Sequence, residues 1–169
     1  MKIKSGILKF NLCILCCTLF VFVAHSQSFD FSKASVIVTS EVKSPVRETI
    51  LEILRDEVEK RTGIQLNVTG KWDKKTPVIA LALASQPELF GIQVPEIKDS
   101  NRPELHSEGF RIIHNDTQGK SILWLIGNDE RGLIYAAGWF LRNTRFTPKR
   151  IVLGKNIETA SAPVYSIRG

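Results

Sequence analysis

The chain is 169 residues long, which suits one domain with a sizeable hydrophobic core. Its three cysteines all lie within residues 13–17, so the rest of the sequence excludes a disulfide scaffold, a thiol nucleophile and a thiolate metal site. Three of the 23 basic residues lie in the first nine positions. The remaining net charge, about +3, forms no clustered basic face, which argues against nucleic-acid binding.

The N-terminus has the pattern of a secretory signal. Lysines in the first nine residues precede an apolar run from Leu12 to Ala24, and small residues stand at Ala24 and Ser26. The apolar run is shorter than the roughly 20 residues that span a bilayer. We therefore predict that residues 1–26 are cleaved, that the mature chain begins at Gln27, and that it is periplasmic or extracellular. An uncleaved membrane anchor is the alternative, which the short apolar run disfavours.

The first half of the mature chain predicts a strand, a helix and two further strands. β-Branched and apolar residues predict a strand over Ala34–Thr39. A serine N-cap and a glycine stop bound a helix over Pro45–Thr62, with Arg47 among the charged residues of its solvent face. A short strand at Gln65–Val68 is followed by Val78–Ala84, whose apolar residues at every position predict a strand covered on both faces. The predicted buried stripe of the helix consists of Ile50, Leu51, Ile53, Leu54 and Val58.

The second half predicts a loop, a hairpin and a second helix. Residues 85–108 contain three prolines and no clear period, which predicts an irregular loop with at most a short helical turn. Two apolar runs, Gly109–His114 and Ser121–Gly127, flank a polar turn and predict a β-hairpin. A helix over Glu130–Asn143 follows, capped by Asn128 or Asp129. Its predicted buried stripe consists of Leu133, Ala136, Ala137, Phe140 and Leu141.

This order of elements predicts an α+β fold. Residues 27–154 would form a single domain in which two main helices pack mainly on one face of a mixed β-sheet. Ile151–Leu153 is the last predicted strand. We interpret residues 155–169 as a linker into a further unit.

Residue types that carry chemistry do not converge in this sequence. His106 and His114 lack metal-ligand spacing with each other or with paired carboxylates, and His114 is interpreted as a surface residue. No serine, histidine and aspartate form a triad pattern, and the glycine spacing does not match a phosphate-binding loop. Asp129 and Glu130 are adjacent, so their side chains point apart at the start of a helix. The sequence therefore predicts no catalytic, cofactor-binding or metal-binding residue.

The most distinctive stretch runs from Ile126 to Arg142. Physically it is a buried strand that turns sharply at Gly127 and enters a capped helix. Gly132 and Gly138 each cost roughly 1 kcal/mol relative to alanine inside a helix, so they suggest tight packing or a pocket for a neighbouring element. Arg131 has two candidate roles, a pair with Asp129 or a contact with an adjoining domain.

This stretch resembles the strand-to-helix segment in the N-terminal domains of several glycoside hydrolases. These are the family 67 and family 115 α-glucuronidases and the family 20 β-N-acetylhexosaminidases. Their pattern of Gly-x-Asp-x-Arg-Gly, two apolar residues and Tyr is matched here, although Ala136 stands where a glycine commonly follows the tyrosine. The segment from Glu108 to Ile112 resembles their preceding strand, and Ala162–Gly169 resembles the start of their catalytic (β/α)8 barrel. The matching positions, which we interpret as structural, are Asp129, Arg131, Gly132, Tyr135, Arg168 and Gly169.

The resemblance implies a non-catalytic N-terminal domain of a secreted polysaccharide-degrading enzyme, with the catalytic carboxylates on a barrel outside this chain. Its partner would be that barrel, with an oligosaccharide as a possible ligand, and no cofactor is implied. A free-standing carbohydrate-binding module is the alternative from another class. It would need exposed aromatic rings, for which Trp72 and Trp139 are the candidates, although a core or interdomain role for Trp139 is favoured. A non-functional remnant is the third hypothesis.

Overall fold

A computed structural model describes residues 28–37, 44–96, 106–117, 120–154 and 159–161. The predicted signal, residues 1–26, lies outside these ranges, as do Arg168 and Gly169. The described part contains two helices and a mixed sheet, so the prediction of a single α+β domain is confirmed. Neither helix of the described part combines the length and the apolar character that crossing a membrane requires.

Six strands form the main sheet: β2 (Ser35–Ile37), β3 (Val68–Thr69), β4 (Val78–Leu83), β7 (Phe110–Thr117), β8 (Lys120–Gly127) and β11 (Thr159–Ser161). Their spatial order is β11-β7-β8-β4-β2-β3. The central pairs β2–β4 and β4–β8 are parallel, whereas β7 is antiparallel to both β8 and β11. The sheet is therefore mixed, as expected.

Both predicted helices have the bounds expected from their caps. Helix α1 spans Pro45–Thr62; the Ser44 hydroxyl accepts a bond from the Arg47 backbone N–H at 3.4 Å. Gly63 ends it with φ 66°, a left-handed conformation that glycine adopts without steric cost. Helix α2 spans Glu130–Asn143. Local capping chemistry therefore places both ends of α1 and the beginning of α2.

The two faces of the main sheet bury different layers. On one face, Ile79, Leu81 and Leu123 pack with the buried stripes of both helices. On the other face, Ala80, Trp124 and their neighbours pack beneath a short hairpin and Trp72. Successive residues of a strand point to opposite faces, so β4 needs apolar residues at every position. The helices thus lie on one face, as predicted.

A second, three-stranded sheet closes the end of the helical layer, in the order β1-β10-β9. Ile151 and Leu153 are buried in the same core as the helices, and Lys149 N–H donates to Thr62 O at the end of α1. The strands are β1 (Phe29–Asp30), β9 (Arg145–Thr147) and β10 (Arg150–Leu153).

The expectation of an irregular loop over residues 85–108 was wrong for its first part. Strands β5 (Glu88–Leu89) and β6 (Ile92–Gln93) form a hairpin. Its two turn residues, Phe90 and Gly91, have φ values of 45° and 73°, as a two-residue hairpin turn requires. Phenylalanine is not a typical residue at the first position of such a turn, so the sequence did not predict this hairpin.

Three further details differ from the expectations. Ile53, which the helical spacing predicts in the buried stripe of α1, is exposed, whereas Arg47, predicted on the solvent face, is buried. The short strand after α1 begins at Val68 rather than at Gln65. Thr159–Ser161, inside the segment interpreted as a linker, pairs with β7 because that strand offers a free edge of backbone groups.

Candidate functional site at the strand–helix corner

Three of the resembling residues, Asp129, Arg131 and Gly132, meet where β8 runs into α2. Gly127 ends β8, and two residues later Asp129 caps the helix. A Cβ atom on Gly127 would overlap the backbone of Leu133 and lie 2.8 Å from the carbonyl carbon of Gly132. The helix therefore begins directly against the strand end, and this corner accommodates only glycine at position 127.

Asp129 joins the helix to the preceding segment through its two carboxylate oxygens. Oδ1 accepts from Gly132 N–H, and Oδ2 accepts from Glu108 N–H, each at 2.8 Å. Burial raises the pKa of this carboxyl, but backbone hydrogen bonds from Gly132, Glu108 and Arg131 outweigh it, so the pKa lies below its ordinary value. Asp129 is thus an ionised cap at neutral pH, which the N-terminal end of a helix favours.

Glu108 and Arg131 form an ion pair across the same corner. Arg131 Nη1 lies 2.7 Å from Glu108 Oε1, whose side chain is nearly buried, whereas the arginine side chain is 76% exposed. The φ of Glu108 is 62°, an uncommon conformation for a residue with a Cβ atom. The Arg131 side chain contacts Glu108, and its backbone N–H hydrogen-bonds to Asp129.

Gly132 allows the helix to approach the strand that follows Glu108. A Cβ atom at position 132 would overlap the carbonyl oxygen of Gly109, and that oxygen accepts from Asn128 N–H at 2.9 Å. The predicted tight packing of this helical glycine is confirmed. Gly138 differs, because a Cβ atom there would meet only the flexible end of Arg142, at 3.1 Å.

The structure brings together three of the six resembling positions, Asp129, Arg131 and Gly132. Tyr135 lies one turn further along α2 and is exposed, outside the corner. Arg168 and Gly169 lie outside the described residues. The assignment of all six to structural roles stays a prediction.

The other candidate residues lie apart from this corner or contribute only their backbone. The His114 ring contacts the Phe29 ring at a tilt of 42°, with ring centroids 3.8 Å apart, and shares a 2.8 Å hydrogen bond with Ser121. His106 is exposed, and its backbone oxygen accepts from Asn128. Trp72 and Trp139 are both half-buried, one on each side of the sheet, so neither is a fully open ring for stacking on a sugar.

The chemistry available at the corner is limited by these bonds. An open depression there is lined by Ser107, Glu130 and the three side chains already described. Both oxygens of Asp129 are occupied by backbone donors, which suits a structural cap better than a proton donor. Within the described ranges, no three His, Cys, Asp or Glu side chains converge closely enough to hold a metal ion.

Glu108 is the residue of the corner for which the sequence predicts no contact. It appeared only as the first residue of a resembling strand, although it contributes both a backbone donor and a carboxylate. Its separation from Arg131, 23 residues, and its positive φ are not readable from local patterns. The one local signal of its unusual backbone conformation is that an acidic residue and a glycine come directly before an apolar strand.

Comparison with known proteins agrees with the resemblance. No curated protein matches the chain. A family model described as "Glycosyl hydrolase family 67 N-terminus" matches residues 23–140. The match spans more than half of the chain and includes both helices almost entirely, the hairpin and the corner at Asp129. The chain therefore belongs to the glycosyl hydrolase family 67 N-terminal domain family.

Proposed function

We propose that the chain is the non-catalytic N-terminal domain of an exported α-glucuronidase that degrades polysaccharides, with glucuronoxylan as the best candidate substrate. The observation that carries the proposal is the family match over residues 23–140. The export signal rests on the basic, apolar and cleavage regions of residues 1–26. The partner would be the catalytic (β/α)8 barrel of the same protein.

The geometry of the corner favours a structural rather than a catalytic role. Glycosidic cleavage needs a carboxylic acid that donates a proton, together with a second carboxylate or substrate assistance. Asp129 departs from that requirement, because its pKa is lowered and its oxygens accept backbone N–H groups. Glu108 is engaged by Arg131 at 2.7 Å. The two acids hold the helix on its strand.

The proposal is tested by assaying the whole gene product that contains this chain against glucuronoxylan. We expect release of glucuronic acid by the whole product and none by the 169-residue chain. The exported protein should begin at Gln27, which N-terminal sequencing reads directly.

The Asp129→Asn variant of the whole product is the control that separates structure from catalysis. Its activity per folded molecule should stay unchanged, whereas loss of a general acid or base commonly costs 10²- to 10⁴-fold. Hydrolysis by the purified chain alone, or loss of activity of that size in the variant, would overturn the proposal.

A further inference from the structure

The outer surface of the helical layer carries an apolar groove between α1 and α2. Its volume is about 250 Å³, and Thr49 is its one polar side-chain contributor among the residues that line it. Ile53 and Ile134 stand on its two sides, 46% and 47% exposed. The lining residues are Val46, Thr49, Ile50, Ile53, Ile134, Ala137, Gly138 and Leu141.

Two of the four large hydrophobic side chains that are exposed on the described surface line the groove. The four exposed residues are Ile53, Ile134, Tyr135 and Val68. The first two line the groove, and Tyr135 follows Ile134 on α2. Because Ala137 has a small side chain and Gly138 has none, the groove is deep enough for a ridge of side chains from a partner to enter. Clusters of this kind mark interaction surfaces more often than scattered apolar residues do.

Charges of opposite sign border the groove on its two helices. Helix α1 exposes Glu52 and Asp56, next to and three residues beyond Ile53 in the chain. On α2, the guanidinium of the exposed Arg142 lies beside Gly138 of the groove. An apolar centre with a polar, mixed-charge rim is the usual anatomy of a protein–protein interface. A nucleic acid or an anionic membrane would instead favour a single positive sign. The occupant that fits is a protein surface with an apolar ridge.

The path of the chain favours a partner on the same polypeptide. Strand β11 pairs Ser161 with Phe110, and Phe110 follows the Gly109 that packs on Gly132 in the first turn of α2. The polypeptide beyond Ser161 thus starts beside the end of α2 nearest Ile134. A domain tethered there has a high effective concentration at the groove.

We propose that the groove between α1 and α2 is the docking surface for the catalytic domain of the same protein. The docked surface presents an aliphatic or aromatic ridge to Ile53 and Ile134. It places basic groups opposite the acids of α1 and an acidic group opposite Arg142 of α2. This inference rests on the proposed function, because it takes the catalytic domain as the partner.

Hydrogen–deuterium exchange on the whole gene product and on the 169-residue chain tests the inference. Backbone amides of the groove segments, residues 46–54 and 133–141, should exchange about tenfold more slowly in the whole product. Ile134→Glu should remove this difference. Val68→Glu, an equally exposed apolar residue on the edge strand β3, should leave it intact.

Two results would overturn the docking surface. One is equal exchange of the groove in both proteins while the whole product hydrolyses glucuronoxylan, which leaves the proposed function standing. The other is a concentration-dependent dimer of the chain that Ile134→Glu dissolves and Val68→Glu does not, because a second copy would then be the occupant. Absence of hydrolysis by the whole product would instead contradict the proposed function itself.

Discussion

At the scale of single residues, Asp129 shows how one side chain connects three segments. Its carboxylate accepts from the first turn of α2 and from Glu108, which precedes β7. Its sequence context identified it as one of two candidate helix caps. The second bond depended on a residue 21 positions away. The local sequence therefore predicts the helix cap, whereas the hydrogen bond from Glu108 N–H is apparent only in the tertiary structure.

Replacing Asp129 should separate these two roles. Asp129→Ala loses both bonds and should lower the free energy of unfolding of the chain by about 1–2 kcal/mol. Asp129→Asn retains one acceptor oxygen and should lose less. Urea denaturation at neutral pH, with unfolding followed by circular dichroism, provides the comparison.

The same residue should make stability depend on pH. Because its folded pKa is lowered, its contribution is complete above the ordinary pKa near 4 and is lost as the pH falls through the lowered value. The stability difference between the wild type and Asp129→Asn should therefore shrink below about pH 4. A difference that is constant from pH 7 to pH 3 would contradict the assigned ionisation.

Two glycines of α2 form a matched pair for the packing argument. Gly132→Ala drives a Cβ atom into the backbone of Gly109 and should destabilise the chain by about 1–3 kcal/mol or more. Gly138→Ala meets only the mobile guanidinium of Arg142 and should be neutral or stabilise the chain by up to about 1 kcal/mol through helix propensity. Thermal unfolding of both variants distinguishes the sites, and equal effects would refute the close approach at position 132.

At the scale of elements, the sheet needs cover on both faces, and the hairpin β5–β6 supplies part of it. Leu89 is 1% exposed and belongs to the cluster that contains Trp124, which is fully buried. Strand β4 is buried on both faces because it lies at the centre of the sheet, between β2 and β8. The hairpin is therefore a second packing layer rather than a loose connection.

Truncating Leu89 tests this element. Leu89→Ala should cost about 2–5 kcal/mol, as is typical of a fully buried leucine. Val68→Ala, at an exposed position of strand β3, is the control and should change stability by less than about 0.5 kcal/mol. Guanidinium denaturation of both variants gives the comparison. A Leu89→Ala effect as small as that of the control would mean that the hairpin contributes little to the fold.

At the scale of the whole molecule, the domain is asymmetric. One sheet face is closed by the hairpin, and the other by helices whose outer surface retains an apolar groove. The spacing of Ile53 predicts that it belongs to the buried stripe of α1. The seam between two adjacent helices is also apolar, however, so spacing alone does not distinguish a residue facing the sheet from one at the outer rim of the seam.

The sequence by itself determined the bounds of both helices, the long hairpin, the α+β class and the family resemblance. These depend on local signals: caps, alternation, glycine stops and a contiguous motif. Only the tertiary structure decided that Arg47 is buried, that Ile53 is exposed, that Glu108 pairs with Arg131 and that Thr159–Ser161 joins the sheet. Those outcomes depend on which segments meet across long separations, and no local pattern encodes that proximity.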